Sequence, residues 1–328
     1  MTEQRQSLTH PFVRLLYWAV LGFVAWHVTQ AYLTGMLWDH PVDVLSTYIA
    51  GTAIRPFVYR VLVPMVVDLA LRLYPLPNLT YATIVIYGSL LGFLASIRSL
   101  AAFYGAKTPA QDIVGVAALV LMLPWLLLYR HHYDLTQIFL FTLGLRLMAS
   151  RRWRLFLPVF ALGCLNKETT ILLTTVFAWH YRHELLRLSR SHWLLVAAQG
   201  AIFGAIRLLV MWRFAQNAGQ VMEYHLPDQI DAWRIAFWPS LALVLFGALL
   251  LFQVSRTWNT SPHLFRSALL GTLPILLVLF IVWGYPFELR NLFEAYPALV
   301  LLALPTLVRP IRLDLAMTDT APYPAVSV

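Results

Sequence analysis

Residues 155–181 read LFLPVFALGCLNKETTILLTTVFAWHY, preceded by Arg151, Arg152 and Arg154 and followed by Arg182, Arg187 and Arg190. The flanks of this stretch are apolar enough for a bilayer, yet its middle is Asn166-Lys167-Glu168. Ionisable side chains inside such a stretch are costly unless they meet partners, water or substrate. The length is equally telling. The apolar run before Asn166 is about 11 residues, or roughly 16 Å of helix. Hydrocarbon is about 30 Å thick, so that run cannot cross it. The whole stretch is too long for one span and too short for two. It therefore predicts a hairpin of short or re-entrant helices.

The rest of the chain sets the context. It is 60% apolar and only 12% charged, with a mean hydropathy of +0.69. That composition fits a polytopic membrane protein and not a soluble one. The apolar runs are continuous and do not alternate, which favours helices over a barrel. Spans are expected at 15–34, 80–97, 112–129, 133–150, 193–212, 235–254, 266–284 and 293–308, each near the roughly 20 residues that crossing needs. The run at 15–34 is too long for a secretory signal and reads as a retained first span. The net charge of +9 is read as a topology signal, with no nucleic acid as partner. The single cysteine, Cys164, excludes an internal disulfide and a cysteine metal site. It reads as a packing residue.

The positive-inside rule orders these segments. The basic groups at 151–154, 182–190, 256–266 and 309–312 share the inner side only if 155–181 goes in and comes back. Arg98 and Lys107 join them if 56–75 does not cross. That stretch then becomes an amphipathic helix on the outer surface, with Arg60, Asp68 and Arg72 on one face and a kink at Pro64. The expected fold is all-α and polytopic, with about ten membrane segments and both termini cytoplasmic. Residues 1–315 form a single transmembrane domain and 316–328 a disordered tail. The competing topology lets 56–75 cross and makes 155–181 one crossing, but it strands Arg151, Arg152 and Arg154 outside.

Polar residues gather on the outer side. The first outer loop carries Asp39, Asp43, Tyr48, Arg55 and Arg60. The second carries His131, His132 and Asp134. Asn166, Lys167 and Glu168 form the hairpin tip, and Glu288, Arg290 and Glu294 precede the last span. The loop 213–234 adds Glu223, His225, Asp228 and Asp231. Arg55, Arg60, Lys167 and Arg290 suit a phosphate or pyrophosphate, since Arg offers a bidentate fork and Lys a point charge. The adjacent histidines diverge on any regular element, so no zinc site is read there. Mg²⁺ held by Asp39 or Asp43 with a pyrophosphate remains open; no other cofactor is expected. Neither a glycine-rich phosphate loop nor a nucleotide fingerprint is present.

Three stretches resemble the GT-C superfamily of polytopic glycosyltransferases. Asp43 with Tyr48, soon after the first span, resembles its early acidic motif. Leu126 to Gln137, an apolar span and Arg151-Arg152 resemble its central unit of polar turn, helix and basic loop. Gly163 to Thr170 resembles the following helix with its embedded Lys-Glu. The likeness covers residues 10–185 in order of elements. The chain differs in having Asp39 and Asp43 four apart instead of an adjacent acidic pair.

The resemblance implies a bacterial inner-membrane enzyme. It would transfer a sugar from a polyprenyl-phosphate donor to a lipid or glycan acceptor on the periplasmic face. Asp43, or Asp39, would be the general base for the acceptor hydroxyl. Arg55, Arg60, Lys167 and Arg290 would bind phosphate. Tyr48, Asp134, Asn166, Glu168 and Glu288 would support them, Glu168 and Glu288 by orienting Lys167 and Arg290 or sugar hydroxyls. The alternative is a transporter or lipid flippase with its charged site in a broken-helix hairpin.

Overall fold

The computed structural model describes residues 3–39, 43–106, 108–126, 130–308 and 317. The side chains of Asp39 and Asp43 lie outside the described part, as does the tail 316–328 apart from Met317, which is buried in the main core. Among the described residues there is no strand. The helices, in chain order, are α1 (Glu3–Asp39), α2 (Asp43–Ile49), α3 (Leu62–Leu73), α4 (Asn78–Phe103), α5 (Thr108–Met122), α6 (Asp134–Ala149), α7 (Trp153–Asn166), α8 (Leu172–His180), α9 (Arg182–Leu186), α10 (Arg190–Arg213), α11 (Leu226–Ile235), α12 (Phe237–Thr257), α13 (His263–Trp283) and α14 (Tyr296–Val308). Among the described residues five helical stretches are long and apolar enough to cross a membrane: Pro11–Met36, Asn78–Phe103, Arg190–Arg213, Phe237–Thr257 and His263–Trp283.

Contacts between distant residues define two ends. At the basic end, Arg98 of α4 donates to Asp112 of α5 (2.9 Å) and lies over Tyr17 and Trp18 of α1. At the opposite end, Tyr32 of α1 meets His131 and Asp134 at the start of α6. Helix α3 stays at that second end. Its buried Val63 and Val67 pack with Tyr133, next to Tyr81 and Val85 in the first turns of α4. Met65, Leu69 and Leu73 on its other face are exposed.

The polar row expected along 56–75 is corrected in part. Asp68 and Arg72 do pair (2.7 Å) on an exposed face. Arg60, however, precedes the helix, at the end of the short 3-10 turn Phe57–Tyr59, and points into the protein. Pro64 falls in the first turn of α3, where its missing N–H costs no helical bond. No kink results.

The hairpin is present. Trp153 at the start of α7 packs edge-on against Phe177 (5.5 Å) and Tyr181 (5.8 Å) at the end of α8. The Arg151 guanidinium also lies over the Tyr181 ring. The chain thus returns to the level at which it left. Helix α8 beds against α13 at Gly271, where an added Cβ would sit 3.0 Å from the Val176 nitrogen. Close backbone approach of this kind is how helices associate in lipid, where apolar transfer gives no drive.

Helices α10 and α12 turn Leu208, Leu209, Trp212, Leu245 and Phe252 outward. Apolar surface of this extent suits lipid and would be a liability in water. The chain is therefore a membrane-embedded helical protein. Cys164 is buried, as a packing residue should be.

Candidate functional site

The site is built around the break in the hairpin. Helix α7 stops because Lys167 is extended (φ −158°, ψ 138°), and a 3-10 turn, Glu168–Ile171, leads into α8. A broken helix in lipid must have its freed backbone groups satisfied by protein. The Leu165 carbonyl accepts from the backbone N–H of Val61 (2.9 Å). Fully buried Asn166 donates to the Tyr133 carbonyl (3.0 Å) and to Gln137 Oε1 (3.1 Å). Gln137 in turn donates to Thr170 Oγ1 (3.0 Å). The tip is thereby locked onto the first turn of α6.

The charged side chains then find partners from distant segments. Lys167 pairs with Glu294 (3.5 Å), both almost completely buried, and the Thr169 hydroxyl donates to the same carboxylate oxygen. Arg290 binds Asp134 Oδ1 (3.2 Å) and Glu288. Glu288 also accepts from Asn291 Nδ2 (2.7 Å) and the Tyr285 N–H (3.0 Å). The second oxygen of Asp134 accepts from the Tyr32 hydroxyl (3.0 Å) and the His131 N–H (2.9 Å). Arg60 meets Glu168 Oε1 at 3.3 Å, stacks 4.4 Å over the Tyr133 ring and donates to its hydroxyl. Arg207 of α10 lies 3.8 Å from Glu168 Oε2 and over the face of Tyr59.

These groups face a cavity of about 250 Å³. Four cations line it (Arg60, Lys167, Arg207 and Arg290), together with Glu168, Glu223 and Glu288. One part of its wall is apolar and aromatic: Leu276, Leu279 and Trp283 of α13, and Val221 and Met222 of the 214–225 loop; Thr169 and Asn291 also line it. Among the described residues Glu223 pairs with neither Arg nor Lys. Its Oε2 lies 3.4 Å from His225 Nε2, and His225 Nδ1 lies 2.7 Å from Asp228 Oδ2, with Tyr285 stacked on the imidazole. The arrangement presents the Glu223 carboxylate at the cavity wall.

In the connecting segments the electrostatics are strongly tuned. Burial alone would raise the Glu168 carboxyl, but Arg60 and Arg207 outweigh it and hold the group at about 2. Burial works to lower Arg290, yet Asp134 and Glu288 raise it above its ordinary value, so it stays charged. Burial pushes the Tyr48 phenol up to about 12.

The cavity brings together Arg60, Lys167, Glu168, Glu288 and Arg290 of the residues anticipated from sequence. Asp134 and Asn166 sit behind its wall as buried supports. Arg55 does not line this cavity. Its guanidinium donates to the carbonyls of Ala215 (3.2 Å) and Gly219 (2.7 Å). Gly219 adopts φ +94° and leaves room for no side chain, since a Cβ would fall 2.5 Å from the Arg55 carbonyl oxygen. Tyr48 packs against the His132 ring, away from the cavity. Glu168 does not orient Lys167; Glu294 does. The side chains of Asp39 and Asp43 lie outside the described residues.

Arg207, Glu294, Tyr133 and Tyr32 were not foreseen as site residues. Arg207 did carry a signal, a single cation deep in the apolar α10. Among the described residues no group of three His, Cys, Asp or Glu side chains is placed to hold a metal ion. No protein-family model, curated protein or solved structure matches this chain.

Proposed function

We propose that the protein is a membrane glycosyltransferase of GT-C type that uses a polyprenyl-phosphate-linked sugar. The observation that carries this reading is the cavity itself. Four cations converge at one end of the bundle, beside an apolar wall formed by α13. An amphiphile with an anionic head and a long hydrocarbon tail fits that combination. The fold then comprises ten membrane segments, with α7 and α8 as a re-entrant hairpin. The basic end and both termini lie on the cytoplasmic side of a bacterial inner membrane. The cavity opens to the periplasm.

In this reading an acceptor hydroxyl on a lipid or glycan attacks the sugar C1. Its proton passes to a carboxylate, and the bond from C1 to the phosphate oxygen breaks. Arg60, Lys167 and Arg290 stabilise the departing polyprenyl phosphate. Asp43, or Asp39, is the base on the resemblance. Glu223, backed by His225 and Asp228, is the carboxylate that the cavity geometry adds. Mg²⁺ on Asp39 or Asp43 remains part of the proposal as an optional partner of the phosphate.

The test is a panel of polyprenyl-phosphate sugars offered to the purified protein in nanodiscs, with release of polyprenyl phosphate as readout. Release by the wild type that is lost in Asp43→Asn or Asp39→Asn supports the reading. Retained release in both carboxamides moves the base to Glu223, and Glu223→Gln should then abolish it. No release from any donor sinks the enzyme reading.

A transporter or flippase is the second reading. The buried Lys167–Glu294 pair at a helix break favours it, because transporters place coupled charges at such breaks. Lipid movement in proteoliposomes without sugar transfer would decide for it.

A further inference from the structure

The acids around the cavity are not held alike. Glu288 is fixed by Arg290, Asn291 and a backbone N–H, and Glu294 is entirely buried against Lys167 and Thr169. Glu168 differs. It is a third exposed, and its contacts with Arg60 and Arg207 measure 3.3 and 3.8 Å. A charge-assisted N–H···O contact is ordinarily about 2.7–2.9 Å. Its two oxygens are split between the two guanidinium groups, Oε1 toward Arg60 and Oε2 toward Arg207. Among the described residues Arg207 pairs with no carboxylate but Glu168, and the Nε–H of nine-tenths-buried Arg60 has no acceptor.

The pairing is also uneven. Arg290 contacts two acids, Asp134 and Glu288, and Lys167 contacts Glu294, whereas Arg60 and Arg207 share the one partly exposed carboxylate of Glu168. Two guanidinium forks with donors to spare suit a tetrahedral phosphate, whose oxygens reach further than a carboxylate's two.

We infer that Glu168 is a placeholder: it occupies the slot between Arg60 and Arg207 that a phosphate group takes, and the ligand must displace it. The inference rests on the anionic-ligand reading of the cavity and assigns Arg207 as a phosphate-binding residue. Glu168 acts as an internal competitor, which keeps two cations satisfied in the empty site and sets a threshold for weaker anions.

The experiment measures binding of undecaprenyl phosphate to full-length protein in nanodiscs, with undecaprenol and inorganic phosphate as comparison probes. Glu168→Gln removes the competing charge and keeps the shape. It should bind undecaprenyl phosphate about tenfold more tightly than wild type, given the size of close charge-pair couplings. Undecaprenol should not distinguish the two. Arg207→Ala should weaken binding, and Glu168→Gln with Arg207→Ala should lose most of the gain. If inorganic phosphate shows the same gain, the slot reads the head group alone. If only the lipid does, the α13 wall contributes, and either result supports the placeholder. Should Glu168→Gln fold poorly, Glu168→Asp, one methylene short of the bridge, must also tighten binding. Binding by wild type that is unchanged or weakened in both Glu168 variants overturns the inference while leaving the cavity reading intact. No binding by any form overturns both.

Discussion

Arg60 and Arg290, far apart in sequence, donate to the same phenol: both guanidinium groups reach the hydroxyl of Tyr133, Arg290 at 3.3 Å. Two like charges are thus held together on one fully buried side chain. The arrangement stands because Glu168 neutralises one and Asp134 with Glu288 the other. Replacing Tyr133 by Phe keeps the ring that Arg60 stacks on and removes the shared acceptor. Tyr133→Phe should cost about 1–3 kcal/mol, the penalty for leaving buried donors unsatisfied. A melting curve in detergent checks it; an unchanged midpoint would mean the hydroxyl is not the hub of the cluster.

Arg290 has the greater consequence for stability. Arg290→Ala strands Asp134 and Glu288 without their cation, and breaking a buried pair from one side costs about 3–5 kcal/mol. Arg290→Met combined with Asp134→Asn and Glu288→Gln removes all three charges and should recover most of that loss. Recovery separates a structural charge cluster from a residue lost for other reasons. The triple variant should still fail to bind polyprenyl phosphate.

The path of the chain through the bilayer is directly measurable. In a Cys164→Ser background, Arg152→Cys and Arg182→Cys should react with an impermeant maleimide from one side of the membrane, and Met222→Cys from the other. Labelling of positions 152 and 182 from opposite sides would make 155–181 a single crossing.

Most of the architecture was legible because apolar runs and charges are local properties. The spans expected at 80–97 and 193–212 lie within α4 and α10, and the length of 155–181 with its arginine flanks foretold the hairpin. Lys167, Glu168 and Arg290 stood out because their surroundings are apolar. What the sequence hid was pairing. Nothing near Lys167 says that its partner is Glu294, more than a hundred residues later. Tyr32 and Tyr133 look like ordinary interfacial aromatics until Asp134 and the arginines reach them. Arg55 shows the same limit: its guanidinium donates to the carbonyls of Ala215 and Gly219, contacts 160 and 164 residues away in sequence that no local pattern announces.

Glu168 makes stability pH-dependent in a defined window. Its folded-state carboxyl is depressed to about 2, against an ordinary value of 4.5. Its ion pairs therefore contribute fully above the unfolded value and are lost as pH falls through the folded one. Glu168→Gln should be less stable than wild type at neutral pH, and the difference should shrink between pH 4.5 and about 2. A difference that holds constant over that interval would show that the charge of Glu168 contributes nothing.

The charge cluster also bears on how the chain is made. Its members come from the beginning, middle and end of the sequence: Arg60, then Asp134, then Lys167 and Glu168, then Arg207, and last Glu288, Arg290 and Glu294. During synthesis the earlier charges are inserted long before their partners exist. Until the segment after α13 arrives, Asp134 lacks Arg290 and Lys167 lacks Glu294, and each is costly to bury alone. Closure of the cluster therefore waits on the last part of the chain: a chain cut after α13 leaves Asp134 without Arg290 and Lys167 without Glu294.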